Sequence, residues 1–383
     1  MSSPLRLVSA GAACIAVTFG LARYGYGLML PDLRAALDLD SATLGVIGSG
    51  SFAAYLLATA SSGLLAARVG ARRLVVAGGA LAAAGMAIVA SAQSGAALAA
   101  GIVVAGASSG LVFPPFADAV QQRLPAERRP RALAIISSGT GWGVLVSVPI
   151  ALAAGADWRL AWVAFAVLAL VATLWAAVAL RGTTASTPEA VDRLRPSWFV
   201  CPRSGPLLAG AFLIGLGSSV YWTFAVDLVA QEGGVAPSAA RLVLALVGAA
   251  SLVGGVSGEL VERLGARATF IAGSLALTAS LALIAAAPGA WVAVVPSAIL
   301  FGAAYNVLLA VDAIWSARVY AGRPATGLAA VMFTLAVGLL LGPAGAGAMA
   351  ASAGLPAAFF AGAAVVAVIM LLTPAEDLAV SSA

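Results

Sequence analysis

The chain has 383 residues, 62% of them hydrophobic and only 9% charged, whereas soluble domains carry about 25% charged residues. Too few polar groups are present to cover a soluble domain, so the composition is that of a membrane protein. Its 20 basic residues are all arginine against 15 acids, with no histidine; if the arginines lie in loops on one membrane face, the formal charge of +5 is no nucleic-acid signal.

In chain order, Arg6 precedes an apolar run from about Leu7 to about Pro31. A secretory signal has a shorter apolar core, and further runs of similar length follow, so this run is expected to be a first transmembrane span. It carries one charge, in the stretch Phe19-Gly20-Leu21-Ala22-Arg23-Tyr24-Gly25-Tyr26-Gly27. Counted from Leu7 at about 1.5 Å per residue, Arg23 stands roughly 24 Å into the span. In a regular helix Tyr26, three residues on, shares its face.

The second span is expected from about Ala42 to Ala67, the third from Leu74 to Val89 and the fourth from Ala96 to Val120. The fifth follows Arg131 and the sixth Arg159. From Arg181 to Gly205 the chain carries Arg181, Glu189, Asp192, Arg193, Arg195 and Arg203 with Pro188, Pro196 and Pro202. That segment cannot sit in hydrocarbon and reads as a linker. Six more spans start near Leu207, Ser238, Thr269, Trp291, Gly327 and Pro356, the last ending near Leu372. The expected architecture is all-α, with twelve transmembrane helices: a six-helix bundle over 1–180, a cytoplasmic linker over 181–205 and a second six-helix bundle over 206–383.

Placing the N-terminus in the cytoplasm leaves only Arg34, Arg159 and Arg241 outside, with Arg23 in the membrane and the other sixteen of the 20 arginines inside. Positive loops resist translocation, so both termini are expected to be cytoplasmic, in a multi-pass inner-membrane protein.

The two bundles are one design written twice. Gly63 to Arg73 reads GLLAARVGARR and Gly258 to Arg267 reads GELVERLGAR, a shift of 195 residues (258 − 63). The same shift pairs Gly20 with Gly215, Tyr26 with Tyr221, Asp32 with Asp227 and Arg72 with Arg267. A half-chain repeat in so apolar a chain points to a two-bundle transporter with its site near the bilayer midplane. Gly63-x-Leu65-Ala66-x-Arg68-x-Gly70-x-Arg72 also resembles the loop signature between helices 2 and 3 of the major facilitator superfamily. The family's usual acid is replaced by Ala67 here, yet the second copy has Glu262.

The resemblance implies that these loops form a cytoplasmic gate, made here of Gly63, Arg68, Gly70 and Arg72 with Asp118 and Arg131, and of Gly258, Glu262, Arg263, Gly265 and Arg267 with Asp312. Asp118 and Asp312 stand 194 residues apart (312 − 118), near the cytoplasmic ends of spans 4 and 10. They are open to two readings. Either each pairs with a gate arginine, Asp118 with Arg72 or Arg131 and Asp312 with Arg267 or Arg323, or each is a proton-binding carboxylate. Their closeness to an arginine-rich face favours the gate.

Arginine followed by aromatics and a Leu-Pro pair is also similar to the first helix of one bacterial branch of the family, where that helix lines the central cavity. Family spans 1, 4, 7 and 10 then supply candidate substrate contacts: Arg23 and Tyr26; Phe113 with Ser108 and Ser109; Tyr221 and Trp222 with Ser218; and Tyr305 and Asn306. Trp142 on span 5 is a further candidate. For Arg23 the structural alternative is a guanidinium satisfied by backbone carbonyls or reaching to the interface.

Cys14 and Cys201 supply neither a disulfide framework nor a thiol metal site, and no G-x-x-x-x-G-K-[ST] phosphate loop is present; no cofactor is expected. An intramembrane enzyme would gather a nucleophile and base at one depth, but histidine is absent and the acids are scattered. The expected function is secondary transport, by alternating access, of a small organic anion or amphipathic metabolite by a monomer in the bilayer. Coupling to a proton or another ion is left open. Efflux of a hydrophobic drug-like compound is the alternative, weakened because 99–106 lacks the arginine of the family's drug antiporters and span 5 lacks their Gly-Pro pair. A non-transporting receptor or scaffold of the same fold is the rival of another class.

Overall fold

A computed structural model gives an all-helical chain, described for residues 3–182, 199, 201–252 and 257–374. The first span is segmented into α1 (Ser3–Ile15), a π-helical stretch (Ala16–Leu21), α2 (Gly25–Leu28) and α3 (Leu30–Leu37). Then follow α4 (Ser41–Val69), α5 (Ala71–Ser91), α6 (Gly95–Arg123), α7 (Arg129–Ala153) and α8 (Trp158–Ala179). The second half holds α9 (Ser204–Gln231), α10 (Pro237–Ala240), α11 (Leu242–Ser251), α12 (Ser257–Leu264), α13 (Ala266–Ala286), α14 (Trp291–Val319), α15 (Pro324–Ala353) and α16 (Leu355–Val368).

Among the described residues, ten helices are long and apolar enough to cross a bilayer, and Pro237–Ser251 and Leu355–Leu371 are shorter apolar helices. Helix formation is enforced by the medium, since hydrocarbon offers no partner to a backbone N–H or C=O. The long spanning helices are therefore largely apolar on all sides. In α8, Trp162, Phe165 and Ala169 are buried while Val163, Val167, Val171 and Leu174 are exposed.

The chain divides into two compact units, one of Met1–Leu39 with Ile47–Ala190 and the other of Asp40–Val46 with Val191–Ala383. Most of the stretch expected to be a linker, 183–198, lies outside the described residues.

Within the first unit the π-helical stretch lies against α7. A Cβ built on Gly143 would stand 2.8 Å from the Gly20 Cα, so neither position has room for a side chain. Within the second unit α9 meets α15 in the same way, with a Cβ on Gly338 falling 3.1 Å from the Gly215 carbonyl carbon. Both glycines of the second pair lie 195 residues beyond those of the first (215 − 20; 338 − 143). The basic turns also repeat. Gly70 (φ 86°, ψ 149°) caps α5 and Gly265 (φ 79°, ψ 158°) caps α13, a backbone region that is essentially reserved for glycine.

Candidate functional site

In the first unit the candidate site is built by the break in the first span. Ala22 N–H donates to the Val17 carbonyl at 2.9 Å and Tyr24 N–H to Phe19 at 3.2 Å, bonds that skip five residues and widen the helix, a distortion frequent at functional sites. Two features favour it. Thr18 Oγ1 donates to the Cys14 carbonyl at 2.8 Å, competing with the regular ladder, and the Gly20–Gly143 contact holds the widened turn against α7. Farther on, Pro31 lies in the first turn of α3, and a proline disfavours helix continuing through it.

The widened turn places Arg23 in an aromatic cage. Its guanidinium carbon lies 4.2 Å from the Tyr55 ring centroid, 4.3 Å from Phe52, 5.6 Å from Phe19 and 5.8 Å from Tyr24. Phe19 and Tyr55 themselves meet edge to face at 5.8 Å. Arg23 is only 7% exposed, and its Nε and Nη2 have no hydrogen-bond partner among the described residues. These two nitrogens form one edge of the planar guanidinium, the edge that donates two parallel hydrogen bonds to a carboxylate. Neither alternative from the sequence, carbonyl satisfaction of these nitrogens or an outward reach, is what the structure shows: ring faces surround the cation.

Tyr26 is buried but is not among the rings around Arg23, because the break between Leu21 and Gly25 removes the regular three-residue spacing. Phe52 and Tyr55 were missed in the sequence. They sit three apart on α4, a helix apolar on all sides, so no periodic pattern singles them out. The Ser51, Thr59 and Ser62 hydroxyls on the same helix are likewise buried without a hydrogen-bond partner among the described residues. Phe113 is half-buried, and Ser108 and Ser109 are buried with their hydroxyls returned to the carbonyls of Ala105 and Gly106. Trp142 is 51% exposed, on a different face of α7 from the buried Gly143.

In the second unit the structure brings three predicted residues into one aromatic cluster. Tyr221 stacks on Phe301 at 4.0 Å and meets Phe359 at 6.0 Å. Trp222 packs edge-on against Phe301 at 5.2 Å and Tyr305 at 5.9 Å. Tyr221 is fully buried, and its hydroxyl shares a 3.0 Å hydrogen bond with Ser297, which donates to the Ser280 carbonyl. Tyr221 is thus a satisfied core residue, and Trp222 and Tyr305 form the cluster's edge. Asn306 donates from Nδ2 to the Gly302 carbonyl of its own helix at 2.9 Å, and the Ser218 hydroxyl donates to Gly215.

The expected carboxylate–arginine pairs are not formed. Arg72 Nε donates to the Ala177 carbonyl at 2.7 Å, and Arg123 donates to Ala179 and Arg181 at 2.8 and 2.5 Å. Both arginines cap the carbonyl end of α8, where unpaired acceptors and the helix dipole favour cations. Asp118 is half-buried and Arg131 exposed, and neither has an ion pair among the described residues. Asp312 is fully buried, with no partner among the described residues for either carboxylate oxygen. It lies seven residues before Val319, the end of α14, about 10 Å at 1.5 Å per residue, which accounts for its not meeting arginines at the helix ends. Glu262 and Arg267 are exposed, and Arg263 pairs with Glu259 on the surface of α12.

Three comparisons bear on this arrangement. The family profile described as Major Facilitator Superfamily matches residues 12–202 and 207–378. A chloramphenicol resistance protein of Streptomyces lividans is 29% identical over 297 residues, covering 75% of this chain and 74% of that one. Among solved structures, the nucleoside transporter NupG superposes with a TM-score of 0.82 at 14% identity, covering 97% of this chain and 98% of that one. A bacterial homologue of the human lysosomal transporter Spinster superposes at 0.77 with 14% identity, covering 96% and 95%. At such identities the structural matches show the fold.

Proposed function

The chain belongs to the major facilitator superfamily, and from that premise we propose that it is a secondary transporter of a small organic anion, held by Arg23. The carrying observation is the Nε–Nη2 edge, buried among four rings and without a hydrogen-bond partner. Removing polar donors from water without a partner is costly, and a carboxylate is the group that fits both donors together. The surrounding rings add a preference for substrates with a flat or apolar body beside the charge.

The basic turns at 63–73 and 258–267 are read as the cytoplasmic gate that the family resemblance implies, with both termini in the cytoplasm. Ion coupling is assigned to Asp312, whose buried oxygens have no partner, and the ion to a proton. A second reading, export of a drug-like compound, is favoured by the chloramphenicol resistance relative.

The test is a thermal-stability screen of the purified protein with organic anions and lipophilic cations. A ligand at a hundred times its dissociation constant adds about 2.7 kcal/mol. Stabilisation by anions, lost in Arg23→Ala, supports the first reading; stabilisation by cations alone supports the second.

A further inference from the structure

The second unit contains an apolar crevice of about 210 Å³ between 216–220 of α9, 342–349 of α15 and 358–365 of α16. Every residue lining it is glycine, alanine, valine, leucine or methionine. The space exists because side chains are missing. A Cβ built on Gly345 would meet no atom within 4 Å. By the 195-residue shift that superimposes Gly143 on Gly338, the counterpart of Gly345 in the first unit is Ile150 and that of Gly342 is Ser147. The first copy has a branched side chain where the second has none.

Water does not suit this space. A volume of about 210 Å³ would hold several molecules at about 30 Å³ each, and each needs two or more polar partners. The lining side chains supply none. A smaller apolar cavity of about 150 Å³, engineered in another protein, stays dry and takes up benzene. The crevice is flanked on α15 and α16 by the exposed side chains of Leu341, Met349 and Phe360; α15 is long and apolar enough to cross a bilayer and α16 is a shorter apolar helix beside it. The medium beside it is hydrocarbon.

We propose that this crevice seats an acyl chain of a membrane phospholipid. Its walls can select a chain by shape and apolarity but have no side chain that would recognise a head group or a polar transport substrate, so this site is separate from the one around Arg23.

The experiment is native mass spectrometry of the full chain, purified from membranes in mild detergent. Wild type is expected to retain one adduct of phospholipid mass. Gly345→Ile, which writes the first-unit residue into the open space, and Ala361→Leu, which fills the crevice from the opposite wall, are each expected to lose it, while Gly345→Ala keeps it. Circular dichroism and thermal unfolding establish that each variant is folded. Equal phospholipid retention in wild type and the two filling variants would overturn the proposal. So would loss of an adduct of some other mass, or loss in only one of the two filling variants.

Discussion

Gly20 and Gly143 touch backbone to backbone, and the widened turn that carries Arg23 rests on that contact. Gly215 and Gly338 repeat it in the second unit, so one packing device holds the first helix of each bundle to the fifth. Gly143→Val is predicted to destabilise the protein by about 1–3 kcal/mol, the usual cost of overpacking, and Gly338→Val by a similar amount. Thermal unfolding in detergent checks this against Gly345→Ala, where open space accepts the added methyl without loss. Equal stability of all three variants would contradict the packing account.

The two basic turns should respond alike to loss of their glycines. Gly70→Ala and Gly265→Ala each force a side chain into a backbone region that costs roughly 1–3 kcal/mol. Limited proteolysis of the purified protein in detergent is predicted to cut both turns faster in these variants than in wild type. An unchanged cleavage rate would mean the turns adjust at no cost.

Arg72 caps the end of α8 through the Ala177 carbonyl, whereas Arg131 is exposed without an ion pair among the described residues. Arg72→Ala should therefore lower stability by about 1 kcal/mol, a charged hydrogen bond discounted for its exposure. Arg131→Ala should leave stability unchanged. Equal losses in chemical denaturation would show that the cap is not what distinguishes them.

The repeat, the spans and the intramembrane charge of Arg23 were legible in the sequence, because they rest on composition, spacing and rare residues in apolar runs. The site's details were not. A regular helix puts Tyr26 beside Arg23, but the five-residue hydrogen bonds around Val17 and Phe19 break that spacing, and nothing in AVTFGL announces them. Phe52 and Tyr55 lie on a helix with no polar face to orient it. The gate reading paired Asp312 with Arg267 or Arg323 because it stands close to an arginine-rich end of its span; about two turns of helical rise instead leave it buried away from them. Arg72 was expected to seek a carboxylate, yet the open carbonyls of α8 lay closer.

Under the proposed coupling role of Asp312, Asp312→Asn removes the ionisable carboxyl and keeps the shape. In proteoliposomes loaded with an identified substrate, the variant is predicted to bind as wild type does but to lose accumulation driven by a pH gradient, while exchange without a gradient persists. Gradient-driven accumulation at the wild-type level would remove Asp312 from coupling.

Equilibrium binding of an identified organic anion to purified wild type, Arg23→Lys and Arg23→Ala tests the anion site most directly. Truncating one member of a buried charge pair costs about 2–5 kcal/mol, so Arg23→Ala is predicted to weaken binding by that amount. Arg23→Lys keeps the charge but not the two-pronged edge, and is predicted to fall between. If Arg23→Ala is folded and binds the anion as tightly as wild type, the caged guanidinium is a structural brace and the substrate's charge is held elsewhere.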